Sequence, residues 1–457
     1  MIDQILNITD QEYDDQMIRQ YKFRIIDANL EIGNQQFVEY EPANLRFIEK
    51  LEIKSLTLNS NIMDLKIKSS TINQLILKQY FMDVDNLELQ NLEILLIQNN
   101  KLKNRQIYNI AKFKKLHTLD VSDNNIDLRN IWSVTSLKKL SMRYCDLENI
   151  DQIPFLVNLE DLDLSQNTII DITPIYGLSS LRILNLSNCY LKQIDQIGSL
   201  KNLEVLDISL NQQVKIDSLS QLIKLKELNI SWNKQMDIAP LKNLVGLIKL
   251  ILCSCGIRSI SFLKHLINLQ FLDLSQNNLD ITELQYLKQN LKYLKLNKCN
   301  LVSIYVLSPL VNLEYLNLTE NQIVYLDSNL NEMKKLKEFD VQFNRISDFS
   351  SLEQHYNFTE NRLLNAEIRN QIRQDDNFKI SDQSIPSQHE LRCANNMRHI
   401  ESPNIQLKYI QNKRKSFKTK VSSLQQEINV TVNKIRSNQI QFTFQVICFF
   451  QLESVSQ

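Results

Sequence analysis

Aromatic and charged side chains that could bind a partner recur along this chain at a fixed spacing. Phe271, Tyr293 and Tyr315 follow one another at steps of 22 residues. Because exposed aromatic side chains dominate the energetics of many protein interfaces, this spacing is typical of a continuous contact surface. Charged residues accompany the two tyrosines, and a tryptophan precedes all three rings. We therefore predict a partner-binding site that contains Trp232, Phe271, Tyr293, Lys295, Tyr315 and Glu320.

A second interpretation of the three rings stays open at this stage. Aromatic side chains on neighbouring strands also stabilise a sheet simply by packing against one another. The surrounding charges, Lys292 and Lys298 near Tyr293 and Glu314 near Tyr315, would suit a partner helix or loop of mixed charge. The sequence alone does not choose between the two roles.

Four cysteines could in principle form disulfides or bind metal, and we predict neither. Cys145, Cys189, Cys255 and Cys299 recur at one position of the repeat described below. The nearest of them lie two strands, or about 10 Å, apart, beyond the roughly 7 Å that a disulfide can span. Cys253 and Cys255 would need further metal ligands. These cysteines are therefore predicted to be small, buried, unpaired residues, and we expect no metal and no cofactor.

The motifs of common enzymes do not occur in the sequence. It contains no glycine-rich phosphate loop, no His-Glu-x-x-His motif and no nucleophile elbow. The five histidines are scattered along the chain. We therefore predict that the protein is not an enzyme.

The repeat that positions these residues reads L-x-x-L-x-L-x-x-N/C-x-L, and position one is its first leucine. It occurs twelve times, and between Leu137 and Leu313 the step is always 22 residues. A fixed period of this length indicates a solenoid of stacked repeats. The first leucines are Leu92, Leu116, Leu137, Leu159, Leu181, Leu203, Leu225, Leu247, Leu269, Leu291, Leu313 and Leu336.

Within a repeat, alternation predicts a short strand followed by a return segment. Leu159, Leu162 and Leu164 should face the core, whereas Asp161, Asp163 and Ser165 should face outward. The outward Asp and Ser residues are predicted to be small polar groups that tolerate crowding, although a cation site is an alternative. The asparagine at position nine should bond to buried backbone groups. Apolar residues at every third position suit a 3₁₀-like return.

The repeat resembles the 22-residue class of leucine-rich repeats, which includes the leucine-rich regulatory subunit of protein phosphatase 1 and the bacterial internalins. The resemblance covers residues 45–360 and includes the Ile-x-x-Ile-x-x-Leu returns at 168–178, 235–244 and 258–266. It implies an α/β solenoid with a parallel, concave β-sheet and short 3₁₀, helical or irregular convex returns. It also implies a non-catalytic binding scaffold. Narrower alternatives are a regulatory subunit of a phosphatase or other enzyme, a spliceosomal scaffold, or a surface adhesin.

The regions on either side of the repeats differ in composition. We predict a lead-in or cap at 1–44, the solenoid at 45–360 with regular repeats at 92–346, a polar linker with a short helix at 361–403, an amphipathic α-helix at 404–437 and an apolar tail at 438–457. The heptad spacing of the 404–437 helix permits packing on the last repeat or self-association as a coiled coil.

Charge and hydropathy limit the classes of partner. The formal net charge is zero, which gives no general attraction to nucleic acid or anionic membranes. No apolar run approaches the roughly 20 residues of a membrane span. We expect no signal peptide, and the lack of clustered cysteines favours a reducing, cytoplasmic location. The basic run at 413–420 leaves nuclear import open. The expected partner is a protein.

Overall fold

A computed structural model describes residues 21–26, 29–34, 52–59, 66–77, 83–100, 102, 107–124, 128–211, 214–234 and 237–346. For 21–26 and 29–34 only the backbone is described. All of these residues belong to the first of two units, Met1–Phe378. The predicted linker at 361–403, the helix at 404–437, the basic run at 413–420 and the tail at 438–457 lie outside the described residues.

Eighteen short strands occur in the described part of the chain, and sixteen of them form one sheet. In the regular repeats each strand has three residues, at positions three to five. The strands are β1 Tyr21–Ile26, β2 Asn29–Asn34, β3 Ser55–Asn59, β4 Ile67–Ser69, β5 Gln74–Leu77, β6 Leu87–Leu89, β7 Ile94–Leu96, β8 Thr118–Asp120, β9 Lys139–Ser141, β10 Asp161–Asp163, β11 Ile183–Asn185, β12 Val205–Asp207, β13 Glu227–Asn229, β14 Lys249–Ile251, β15 Phe271–Asp273, β16 Tyr293–Lys295, β17 Tyr315–Asn317 and β18 Glu338–Asp340.

The large sheet follows the repeat order, as the sequence predicts. From β2 to β18 each strand pairs in parallel with the next strand of the sheet, and equivalent repeat positions lie opposite one another. Leu294 of β16, for example, pairs with Leu272 of β15 and Leu316 of β17. The first strand, β1, pairs antiparallel with β2. The predicted parallel sheet of a leucine-rich solenoid is thus confirmed.

A second, two-stranded parallel sheet joins β4 and β6. It lies in the return segments of the early, irregular repeats, and the sequence analysis missed it. In these repeats Ile67 and Ser69 are buried while Lys68 is exposed, which is the alternation of a strand rather than the three-residue spacing of a 3₁₀ turn.

The return segments contain short 3₁₀ helices, which confirms the prediction from their apolar spacing. Residues three apart eclipse one another in a 3₁₀ helix, so one side of each return can be entirely apolar. Their bounds are Val84–Asn86, Ile110–Lys112, Leu128–Ser133, Ile153–Phe155, Thr173–Gly177, Ile197–Ser199, Asp217–Gln221, Ala239–Asn243, Ser261–His265, Thr282–Leu287, Tyr305–Leu307 and Ser328–Glu332.

The core lies between the sheet and the returns. Leu159, Leu162 and Leu164 are completely buried, as predicted, and so is Ile175 of the return. Their counterparts in the other described repeats join them in one continuous apolar cluster. Burying one such side chain contributes about 1.5–3 kcal/mol to stability. The open face of the sheet, which carries positions three and five, therefore contributes little to this core.

Asparagines at position nine tie each repeat to the one before it. The Oδ1 atom of Asn167 accepts the backbone N–H groups of Cys145 and Leu147, at 2.9 and 3.0 Å. Its Nδ2 atom donates to the carbonyls of Met142 and Leu164, at 2.9 and 2.7 Å. Each bond satisfies a buried backbone group at a turn where the strand ends. The predicted bonding role of these asparagines is confirmed.

Where cysteine replaces asparagine, the thiol keeps only the donor half of this role. The Sγ atom of Cys189 donates to the carbonyl of Leu164 at 3.2 Å. In all four such repeats the next residue has a positive φ, at Asp146, Tyr190, Gly256 and Asn300. The cysteine turns therefore follow a different backbone path from the asparagine turns. The described cysteines are unpaired, and burial raises the pKa of Cys145, Cys189, Cys253 and Cys255 to about 12.

The prediction that Ser165 faces outward is wrong, because this side chain is only 2% exposed. Five of the six serines at position seven, Ser122, Ser165, Ser209, Ser231 and Ser275, are buried. Those of repeats two and seven, Ser122 and Ser231, accept the N–H groups of Arg143 and Cys253 in the next repeat. Asp163 at position five accepts the N–H of Ser165 at 2.9 Å. The Asp and Ser pattern is therefore a hydrogen-bonded cap on the ends of the strands that carry it.

Candidate partner-binding surface

The open face of the sheet displays the side chains at position three, and these form a row across the strands. On β16, Tyr293 is 41% exposed whereas its neighbour Leu294 is completely buried. Register pairing places Tyr293 opposite Phe271 on one side and Tyr315 on the other. Residues 22 positions apart in the sequence therefore lie opposite each other on adjacent strands of the sheet.

Phe271, Tyr293 and Tyr315 stack on one another, and we call them the aromatic ladder. The ring centroids of Phe271 and Tyr293 lie 6.1 Å apart, and those of Tyr293 and Tyr315 lie 6.2 Å apart. The interplanar angles are 27° and 30°. The hydroxyl of Tyr315 accepts a hydrogen bond from the side-chain amide of Asn317 on the same strand, at 3.4 Å. The ring packing considered from the sequence does occur, together with the exposure of Tyr293.

Two lysines lie over the first ring of the aromatic ladder. The Nζ atoms of Lys249 and Lys295 lie 5.8 and 5.7 Å from the ring centroid of Phe271. Lys249 also forms an ion pair with Glu227 at 3.0 Å. A cation at this distance is attracted by the negative face of the ring. Lys249 was not among the predicted site residues, although it occupies position three one repeat before Phe271 and could have been found by the same step.

Ion pairs between adjacent repeats border the aromatic ladder. Glu314 pairs with Lys337, and the hydrogen bond from that lysine holds the pKa of the Glu314 carboxyl below its usual value. Lys298 pairs with Glu320 at 3.4 Å. Both pairs are exposed, so each adds little to stability. They do fix the directions of the charged groups beside the rings.

The six predicted site residues fall into two places. Phe271, Tyr293, Tyr315 and Lys295 lie together on the open face. Trp232 and Glu320 lie instead at position eight, in the turns after β13 and β17, with φ angles of 61° and 55°. Trp232 is half-buried, and its turn lies two strands before that of β15.

Position eight has a positive φ in all twelve regular repeats, a backbone conformation that the sequence pattern does not reveal. The residues are Asn99, Asp123, Tyr144, Gln166, Asn188, Leu210, Trp232, Ser254, Gln276, Lys298, Glu320 and Phe343. This conformation is uncommon for bulky residues, and here the turn geometry imposes it. Trp232 and Glu320 thus sit on a rigid rim beside the open face rather than on it.

Two further properties, metal ligation and membrane insertion, can be stated for the described residues. The described residues include no group of three or more His, Cys, Asp or Glu side chains placed to hold a metal ion. No helix among them is both long enough and apolar enough to cross a bilayer.

Comparison with known proteins supports the fold. The family profile described as Leucine rich repeat matches residues 135–191. An internalin from Listeria monocytogenes str. 4b F2365 has a TM-score of 0.52 and 25% identity, over 57% of this chain and 76% of that chain. A leucine-rich repeat protein from Leptospira interrogans has a TM-score of 0.58 and 26% identity, over 69% and 84%. No curated protein matches this chain in sequence.

Proposed function

Because this chain carries a leucine-rich repeat solenoid that resembles the repeat region of internalins, we propose that it is a protein-interaction scaffold that binds a protein partner on the open face of its sheet. The binding surface centres on the aromatic ladder. The scaffold is non-catalytic, and its role is to hold a fixed row of side chains against the partner.

The observation that carries this proposal is the exposure of Tyr293 within a stacked row. Tyr293 is 41% exposed although rings stack on both sides of it. A tyrosine in this setting offers a rigid apolar edge and a hydroxyl group at little entropic cost, which is the character of an interface anchor. Its position on a three-residue strand of a long parallel sheet keeps it fixed before any partner arrives.

The test is affinity capture with the full chain, followed by substitution of the rings. Tyr293→Ala and Tyr315→Ala, made together, should abolish capture of the specific partner. Removing a central aromatic anchor commonly costs about 2 kcal/mol or more in binding, roughly a thirtyfold loss of affinity. The double variant should stay folded, because neither ring belongs to the buried core, although it loses the stacking between the rings.

A matched control is available on the return side of the same repeats. Tyr286 and Tyr305 are 48% and 61% exposed, on the 3₁₀ helices that follow β15 and β16. The pair Tyr286→Ala and Tyr305→Ala removes equal aromatic area from the opposite side of the solenoid. Capture should survive in this control. Equal capture by the two double variants would disprove binding at the aromatic ladder.

A second candidate, a surface adhesin, is favoured by the similarity to the internalin. The two candidates differ in compartment. The five described cysteines are unpaired, which supports a reducing, cytoplasmic compartment in our proposal. Antibody labelling of cells before and after permeabilisation separates the two, because a cytoplasmic scaffold is labelled only after permeabilisation.

A further inference from the structure

We infer that the partner segment bound at the aromatic ladder is an acidic peptide, which places a carboxylate at Lys295 and an apolar side chain against Tyr293 and Tyr315. This inference rests on the proposed function, since it specifies the chemistry of the partner at that same surface.

The row of side chains at position five lies beside the aromatic ladder on the open face. In the neighbouring strands this position holds an acidic or amide side chain, as at Asp273, Asn317 and Asp340. Asp273 accepts the N–H of Ser275, and Asn317 accepts that of Thr319. Lys295 breaks this pattern and is the one cation among the position-five residues of β7 to β18. A lysine cannot cap the strand end, because its ammonium group has no acceptor.

No ion pair joins Lys295 to a carboxylate of the described residues, which leaves its ammonium group available to a ligand. Three other lysines around the aromatic ladder pair with carboxylates: Lys249 with Glu227, Lys298 with Glu320, and Lys337 with Glu314. Lys295 lies over the Phe271 ring instead. Lys295 is only half-buried, so its ammonium group can still attract a carboxylate. Lys292, exposed and immediately before the same strand, adds a second positive charge.

Geometry places the charge and the rings within reach of one peptide. Lys295 follows Tyr293 by two residues on a strand, so both side chains leave the same face about 7 Å apart. An extended peptide also presents alternate side chains on one face at about this spacing. An apolar residue of the partner can thus contact the tyrosine edges while a nearby Asp or Glu reaches Lys295.

The same surface disfavours nucleic acid, the other common anionic partner. Single-stranded nucleic acid binds by stacking its bases on open ring faces. In the aromatic ladder the faces of the rings are covered by one another, at centroid distances of 6.1 and 6.2 Å. Glu314 and Glu320 border the rings and already pair with Lys337 and Lys298, so these two lysines are not free to bind a phosphate backbone. A peptide can meet this mixed charge with selected side chains.

The experiment measures fluorescence anisotropy of short synthetic peptides titrated with the full chain. Three sets share their aromatic and leucine positions and carry Glu, Gln or Lys at the positions between. The Glu set should bind tightest and the Lys set weakest. Lys295→Glu should weaken binding of the Glu set by about tenfold and favour the Lys set instead. Tighter binding of the Lys set by Lys295→Glu would show that this variant is folded.

Lys264→Glu is the matched control, because Lys264 is an exposed lysine on the return helix Ser261–His265. It should leave the preference for the Glu set unchanged. Equal effects of the two charge reversals, equal binding of the Glu and Gln sets, or binding by none of the three sets would overturn the inference. So would displacement of the Glu set by an oligouridine competitor at a lower concentration than unlabelled peptide.

Failure of the inference is distinguishable from failure of the proposed function. Suppose that Tyr293→Ala with Tyr315→Ala weakens binding of the Gln set as strongly as binding of the Glu set, while Lys295→Glu changes neither affinity. The aromatic ladder then binds a peptide, but without a preference for acidic side chains. If the tyrosine substitutions change nothing in any set, the aromatic ladder is not the binding surface and both proposals fall.

Discussion

The row of side chains at position three has two characters along the same sheet. From β9 to β14 it contains ion pairs across adjacent strands, Lys139 with Asp161 at 3.3 Å and Glu227 with Lys249 at 3.0 Å. From β15 to β17 it contains the three stacked rings of the aromatic ladder. Backbone pairing is the same in both regions, since each strand keeps the parallel register of its neighbours.

This difference distinguishes the side chains that the fold requires from those that it only displays. The core and the strand-end hydrogen bonds recur in both regions, so the fold tolerates either charges or rings at position three. Ion pairs keep a surface hydrated, whereas exposed rings gain by being covered. We therefore expect substitutions in the buried core to have different effects from substitutions on the open face. We also expect the charged and the aromatic parts of the row at position three to differ from each other.

The largest effect should come from the inner side of β16. Leu294→Ala removes a completely buried side chain and should destabilise the protein by about 2–5 kcal/mol. Tyr293→Ala, one residue earlier on the open face, breaks two ring contacts and should cost less, about 1–3 kcal/mol. Urea unfolding of both variants measures the contrast. Similar losses would mean that the ring belongs to the structural core.

The hydrogen-bonding asparagines should be next in magnitude. Asn277 accepts the N–H groups of Cys255 and Ile257 and donates to the carbonyl of Leu252 at 2.8 Å. Asn277→Ala removes the side-chain partner of these buried backbone groups, and we expect a total loss of about 1–3 kcal/mol. Asn277→Cys should lose less, because Cys299 shows that a thiol retains the bond to the preceding carbonyl. If thermal unfolding shows that Asn277→Cys is less stable than Asn277→Ala, the role assigned to position nine is wrong.

The fold could be predicted from the sequence further than the site could. The period fixes the order, direction and register of the strands, because every repeat must bury Leu159 and its counterparts in the same way. It does not say where a polar side chain sends its hydrogen bonds. Ser165 therefore appeared to face outward, although the backbone at the strand end draws it inward.

A similar reason explains the two groups of site residues. Phe271, Tyr293 and Tyr315 share a position in the repeat, so their contact follows from the period alone. Trp232 and Glu320 share a different position, whose left-handed backbone depends on local turn geometry. The pairing of Lys249 with Glu227, and the absence of such a pairing for Lys295, depend on rotamers that sequence spacing does not specify.

The two regions of the row should also differ in coupling energy. A double-mutant cycle on Tyr293 and Tyr315 should give about 0.5–1.5 kcal/mol of coupling, the usual value for stacked rings. The same cycle on Glu227 and Lys249 should give only about 0.2–0.5 kcal/mol, because both groups are solvated, and added salt should reduce it. A stronger coupling in the ion pair would invert the comparison and make the charged region the more structural of the two.

The smallest expected effect concerns Asp163. Burial raises the pKa of its carboxyl above the ordinary 3.8, so ionisation costs stability in the folded state as the pH rises through this range. Asp163→Asn keeps the bond to Ser165, as Asn185 does at 3.0 Å in the next repeat. The variant should be slightly more stable at neutral pH and unchanged below pH 3.8. The melting temperatures of Asp163→Asn and of the unsubstituted protein, measured at neutral pH and below pH 3.8, test this. A lower melting temperature of the variant at neutral pH would contradict burial as the cause of the raised pKa.

The account depends most on the claim that residues one repeat apart lie side by side on one face. The direct measurement is oxidative cross-linking of the full chain carrying Tyr293→Cys and Tyr315→Cys, with the linked peptides mapped by mass spectrometry. Parallel strands about 4.8 Å apart place these two positions within disulfide range, so an intramolecular bond between 293 and 315 is predicted. Failure of 293 to link to 315, or equal linking in a Tyr293→Cys and Leu316→Cys variant, would contradict the register on which the aromatic ladder rests.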